Sequence, residues 1–114
     1  MTTLLGVELA GRPVLVVGGG PVAARRAQAL LADGAVVRVV APELCADLAV
    51  LARRGAVAWA AREVASDDVA DVWLVQCATG RPAVDDAVAA WAHDRRVWCV
   101  TAGDVRRGSA RTPA

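Results

Sequence analysis

Residues 14–27 read VLVVGGGPVAARRA: four apolar residues, three glycines, a proline, then an alanine- and arginine-rich run. Pro13–Val17 has the pattern of a strand. Behind it, Ala23, Ala27, Leu30 and Leu31 recur at the spacing of one helix face, so a helix is expected over Pro21–Asp33. Pro21 suits the first helical position, where a missing N–H is no loss, and Gly34 suits the residue just past the end. The glycines therefore fall where a strand hands over to a helix, and Gly18–Ala23 fits G-x-G-x-x-A. Each position has its own reason. Gly18 permits the tight turn, Gly20 omits a side chain so that a pyrophosphate can approach the backbone, and Ala23 lets the helix lie close to the strand. The helix start adds free N–H groups and the positive end of its dipole. Gly18, Gly19, Gly20, Pro21, Val22 and Ala23 are thus the expected phosphate loop of a dinucleotide site. The competing reading of the same residues is a tight strand–helix turn with no ligand.

Working outward, short apolar runs alternate with helical patterns. Val36–Val40 reads as a second strand. Leu44, Leu48 and Leu51 line a second helix that stops at Gly55, and Val57–Ala60 is a short third strand. Val72–Cys77 reads as a fourth strand, apolar and buried on both faces. Pro82–Asp94 reads as a helix with Val84, Val88 and Trp91 on one side, and Val97–Thr101 as a fifth strand. Strand and helix in alternation imply an α/β, Rossmann-like doubly wound parallel sheet of about five strands with helices on both faces. Residues 1–104 are expected to form this nucleotide-binding domain. Residues 105–114, rich in Arg, Gly, Ser and Pro, are expected to be a tail leading towards a further region.

Composition narrows the function. The 114 residues suit one domain, and 56% of them are apolar, enough for a sizeable core. A net charge of +1 gives no electrostatic argument for nucleic acid or an anionic membrane. No apolar run approaches the roughly 20 residues of a membrane span, and Met1-Thr2-Thr3 lacks the charged start of a signal peptide. Cys45, Cys77 and Cys99 are odd in number, with no CxxC pair, so neither a disulfide framework nor a metal site is expected. Free thiols in a cytoplasmic protein are the simplest reading. All 13 basic residues are Arg, and Lys, Asn, Ile, Phe and Tyr are absent, as a GC-rich bacterial genome would produce.

Two further positions bear on the cofactor. The second strand of such a site should end near an acid that accepts the ribose hydroxyls. Here Pro42 and Glu43 follow Val40-Ala41, and Glu43 is either that acceptor or an acidic first-turn residue of the next helix. No Arg follows this strand where a 2′-phosphate would want one, which favours NAD over NADP. Thr79, after the fourth strand, either meets the cofactor by hydroxyl or backbone or caps the helix ahead of Pro82.

With LAGRPVLVVGGGPVAARRAQALLADGAVVRVVAPEL in view, the chain resembles the N-terminal domain of siroheme synthase, a family that includes precorrin-2 dehydrogenases and sirohydrochlorin ferrochelatases. WLVQCATGRP and RRVWCVTAGD continue the match over nearly the whole chain. The resemblance implies NAD-dependent oxidation of the tetrapyrrole precorrin-2 to sirohydrochlorin, with iron insertion in some members. It also implies a homodimer in a full-length form. The family usually carries a catalytic Asp after the fifth strand. Aligned without a gap that Asp falls on Gly103, and Asp104 lies one residue later. Asp104 is the expected catalytic carboxylate, able to accept a proton; its other reading is a solvated turn residue. The family often has two Asp where this chain has Gly80-Arg81, and Asp85 stands in place of an Asn. Arg25, Arg26, Arg106, Arg107 and Arg111 either meet substrate carboxylates or are solvated. His93 sits near a helix C-terminus, and Trp73 and Trp91 are expected in the core. A nucleotide-sensing module without catalysis, and a domain that only folds and pairs, are the competing functions.

Overall fold

A computed structural model describes residues 1–103 and 108–112. Its centre is β1 (Pro13–Val17), whose alternating side chains split between two cores. Val14 and Val16 pack with Ala23, Ala27, Leu30 and Leu48 on one face, under α1 (Pro21–Ala32) and α2 (Ala46–Arg53). Leu15 and Val17 pack on the other with Val69, Val88 and Ala92, under α3 (Pro82–Asp94) and a single 3₁₀ turn at Ser66–Val69. A strand covered on both faces loses the polar half of the usual alternation, which is why β1 reads as an unbroken apolar run.

β2 (Val36–Val40), β3 (Val57–Ala60), β4 (Leu74–Cys77) and β5 (Trp98–Thr101) complete a five-stranded sheet in the order β3-β2-β1-β4-β5. Every pair is parallel; Val17, for example, stands opposite Val40 on one side and Cys77 on the other. The chain winds outward from β1 through β2 to β3, then crosses back to place β4 on the other side of β1. The order therefore reverses between β1 and β4, and in such sheets ligands bind beyond the strand ends at that reversal. This is the doubly wound α/β architecture expected from the sequence.

Several details differ from the sequence reading. Val72 and Trp73 precede β4, because the chain enters it through Asp71, whose φ of 61° is left-handed. The expected core residue Trp73 is 53% exposed, its ring stacked beneath the Arg12 guanidinium at 4.0 Å. A cation over an indole face satisfies both without burial. Trp91 does pack, half-buried, against the second core. Gln76 is a buried polar residue inside the apolar β4. The second helix starts at Ala46 rather than at Leu44, and the first ends at Ala32. The 3₁₀ turn has no apolar period to announce it. It is held by Asp68, which accepts bonds from both Arg62 terminal nitrogens (2.7 and 2.6 Å) and from the Ala65 N–H (2.8 Å). The Arg62 guanidinium keeps the buried Asp68 carboxyl below its usual range. The described part of the tail lies against β5: the Ser109 and Ala110 N–H groups both donate to the Cys99 carbonyl, at 2.8 and 3.0 Å.

Candidate dinucleotide site

The loops after β1, β2, β3 and β4 enclose a cleft of about 670 Å³. Its floor is the glycine loop, and the three glycines are needed for different reasons. Gly18 has φ of +130°, and a Cβ there would overlap the Ala78 carbonyl after β4. A Cβ on Gly19 would overlap the Glu43 carbonyl and stand 3.1 Å from the Ala41 Cβ. These two glycines let the three loops touch, and the Cys45 N–H locks the contact by donating to the Gly19 carbonyl at 2.7 Å. Gly20 is different: its φ of −92° is open to any residue, and a Cβ there meets nothing within 4 Å. No contact within the described chain requires a glycine at position 20. The space it leaves open belongs to the cleft, as a backbone-approaching pyrophosphate would need.

Gly20 is also the N-cap of α1, and no side chain caps that end. The first intrahelical bond of the turn is Ala24 N–H to the Gly20 carbonyl, at 3.0 Å. Pro21 has no N–H, so the first turn's donors are those of Val22 and Ala23. As first-turn donors they have no partner within α1 itself, and the positive end of that helix stands at the glycine loop that lines the cleft. This cradle fits a dinucleotide pyrophosphate. Gly18, Gly19, Gly20, Pro21 and Val22 line the cleft, whereas the fully buried Ala23 side chain serves the close packing of α1 on β1.

Pro42 and Glu43 also line the cleft. Glu43 lies before the α2 N-cap, Cys45, and the first-turn acid of α2 is Asp47. Of its two readings from sequence, the helix-turn role therefore falls. Thr79 lines the cleft with its side chain already engaged: Oγ1 accepts the Arg81 N–H at 3.0 Å and donates to the buried Asp85 Oδ1 at 2.7 Å. The N-cap of α3 is Arg81, not Thr79. Sequence reasoning missed Glu63. It reaches the cleft only because the chain crosses from β3 back to β4, and it meets Arg81 there, with Arg81 Nη1 donating to Glu63 Oε1 at 3.3 Å.

The expected catalytic Asp104 lies outside the described residues, as do Arg106 and Arg107. Before it, the Ala102 N–H donates to the Cys77 carbonyl at 2.9 Å, turning the end of β5 towards the end of β4. Cys77 and Cys99 are buried thiols with sulfurs 3.7 Å apart. The Cys99 thiol and burial push Cys77 up, making it a protonated core thiol rather than a nucleophile. Arg26 donates to Thr112 Oγ1 at 3.1 Å, while Arg25 and His93 are exposed. Among the described residues no cluster of His, Cys, Asp or Glu has the arrangement of a metal site, and no helix is long and apolar enough to cross a membrane.

A parallel sheet with its glycine loop at the strand-order reversal defines a class, the Rossmann-type dinucleotide-binding domains. Known proteins place the chain within it. A family model described as "Putative NAD(P)-binding" matches residues 5–114, and the chain belongs to that family. Over 107 residues, 94% of the chain, it is 42% identical to "Siroheme synthase 3" of Aeromonas hydrophila, covering 23% of that protein. Over 81 residues, 71% of the chain, it is 48% identical to a siroheme synthase of Neisseria meningitidis serogroup C, covering 17% of it. The solved structure of "SirC, precorrin-2 dehydrogenase" superposes on the whole chain with a TM-score of 0.82 at 30% identity, and 55% of that protein is covered. The chain thus spans less than a quarter of these two synthases and about half of the dehydrogenase. The cofactor class of the domain is a nicotinamide dinucleotide.

Proposed function

We propose that this chain is the NAD-holding part of a precorrin-2 dehydrogenase, the enzyme that oxidises precorrin-2 to sirohydrochlorin in siroheme synthesis. The observation that carries the reading is the Gly20 cradle, open where no contact of the described chain needs it open, in a chain whose relatives are named siroheme synthase and precorrin-2 dehydrogenase. The uncapped start of α1 receives the pyrophosphate on the Val22 and Ala23 N–H groups. Glu43 accepts the ribose hydroxyls, and its negative charge repels a 2′-phosphate, so NAD is preferred over NADP. The Ala78–Thr79 backbone supports the nicotinamide end, beyond β4. When bound, NAD supplies the acceptor for the hydride that leaves the reduced tetrapyrrole. Asp104 takes the accompanying proton, being the one acid between Asp94 and the C-terminus. The same reading places the reaction in a bacterial cytoplasm and pairs the longer protein as a homodimer.

Calorimetric titration of the chain with NAD and NADP tests the first half, with NAD expected to bind more tightly. Anaerobic incubation with precorrin-2 and NAD, read by sirohydrochlorin absorbance, tests the second. The chain alone should turn over far more slowly than a version extended past Ala114. Equal rates would contradict the placement of part of the substrate site in that further region.

A further inference from the structure

Arg81 is the only cation among the described residues that line the cleft. Its backbone is fixed by a polar relay: the buried Asp85 holds the Thr79 hydroxyl, and that hydroxyl holds the Arg81 N–H. Its guanidinium is held by an exposed ion pair. It reaches across the cleft from the loop after β4 to the loop after β3, where Nη1 meets both Glu63 oxygens at 3.3 and 3.4 Å. These distances are long for a charge-assisted bond, and both side chains are more than 60% exposed. A surface pair of this kind contributes little to stability and exchanges readily for a better anion. The glycine loop and Glu43 lie on the loops after β1 and β2, whereas Arg81 lies on the loop after β4.

We propose that the Arg81–Glu63 pair is an exchangeable clasp over the cleft, in which Glu63 holds the Arg81 guanidinium in place until a carboxylate of the second ligand takes it. The inference rests on the dinucleotide reading above and adds to it a substrate-orienting residue of specified chemistry, a planar donor for a ligand carboxylate. Glu63 is then a competitor as well as a positioning residue. The two members of the pair must therefore affect binding with opposite signs, which a purely structural ion pair would not do.

The test uses the full chain, with uroporphyrin, a stable octacarboxylic porphyrin, as the probe. It is titrated by fluorescence with and without NAD, and NAD is titrated separately by calorimetry. Arg81→Gln should weaken porphyrin binding about tenfold, the scale of one exposed charge-assisted contact, and leave NAD affinity unchanged. Glu63→Gln should tighten porphyrin binding about threefold. In the double variant the Glu63→Gln gain should vanish, because it acts through Arg81. If both single variants weaken porphyrin binding and lower the melting temperature together, the pair is a structural staple and the proposal fails. If the Glu63→Gln gain persists without Arg81, the effect is general charge and the proposal fails. If Arg81→Gln weakens NAD as much as porphyrin, Arg81 serves the dinucleotide phosphates and the assignment is overturned. A parent that binds NAD but no porphyrin, both as this chain and as the version extended past Ala114, also overturns it, while leaving the dinucleotide reading intact. A parent that fails to bind NAD counts against that reading instead, and the porphyrin arm then decides this one alone.

Discussion

Gly20→Val separates the ligand's demand for glycine from the fold's. The position has φ of −92° and ψ of −172°, extended backbone that a β-branched residue adopts readily, and its Cβ meets nothing within 4 Å. The fold therefore loses only a favourable helix start, on the order of 1 kcal/mol, or about 4–8 °C in Tm for a domain near this size. The ligand loses far more, because the branched side chain occupies the approach to the Val22 and Ala23 N–H groups. Two charge-assisted bonds at about 1.5–3 kcal/mol each put the loss at no less than about a hundredfold in Kd. Gly19→Ala is the internal contrast. Its Cβ overlaps the Glu43 carbonyl, so the β2–α2 loop must move and the Cys45-to-Gly19 bond breaks. That overpacking should cost about 1–3 kcal/mol or more in stability, with binding lost as a consequence. The assays are thermal unfolding by circular dichroism and calorimetric titration with NAD. A Gly20→Val chain that binds NAD as the parent does, or that unfolds as readily as Gly19→Ala, would refute the reasoning.

Glu43→Gln should weaken NAD binding about tenfold, the worth of one charge-assisted contact, and narrow the preference over NADP, both by titration. Asp68→Asn should cost about 1–3 kcal/mol in urea unfolding at pH 7, since the amide keeps only one acceptor oxygen and no charge for the three bonds from Arg62 and the Ala65 N–H. Because Arg62 lowers the Asp68 pKa in the folded state, that stabilisation is present above the ordinary carboxylate range and disappears as pH falls through the lowered value. The stability gap between parent and variant should therefore close in acid; a gap that persists there would contradict the linkage. Asp104→Asn, in a version extended past Ala114, should slow precorrin-2 oxidation by a factor on the order of 100 with NAD affinity unchanged. A parent-like rate would leave Asp104 as a turn residue.

The fold was legible because β1 and its glycine loop combine two signals that act locally: an unbroken apolar run, and glycines at a strand–helix junction. The roles of the individual glycines were less so. Spacing assigned the tight turn to Gly18, whose φ of +130° fits it, and reserved Gly20 for a ligand, a role that the open space at its Cβ position allows. The demand on Gly19 comes from the Glu43 carbonyl, 24 residues away in sequence and in contact only once β1 and β2 have paired. Glu43 reads two ways from sequence, since a first-turn acid and a ribose acceptor occupy the same stretch of chain, and the start of α2 bears only on the first of them. Glu63 carried no local signal at all. Its place at the cleft depends on the crossover from β3 to β4, and its partner Arg81 was visible only as a departure from the family pattern. Trp73 misled for a simpler reason: an aromatic beside an apolar run reads as core unless the Arg12 that stacks on it is known.

The central claim is that the glycine loop at the end of β1 holds NAD. A crystal structure of the chain grown with NAD tests it most directly. The account predicts the pyrophosphate against Gly20 within hydrogen-bond reach of the Val22 and Ala23 N–H groups, a ribose on Glu43, and the nicotinamide beyond the end of β4. NAD bound elsewhere on the chain, or density only for an empty cleft at a concentration that saturates a calorimetric titration, would contradict it.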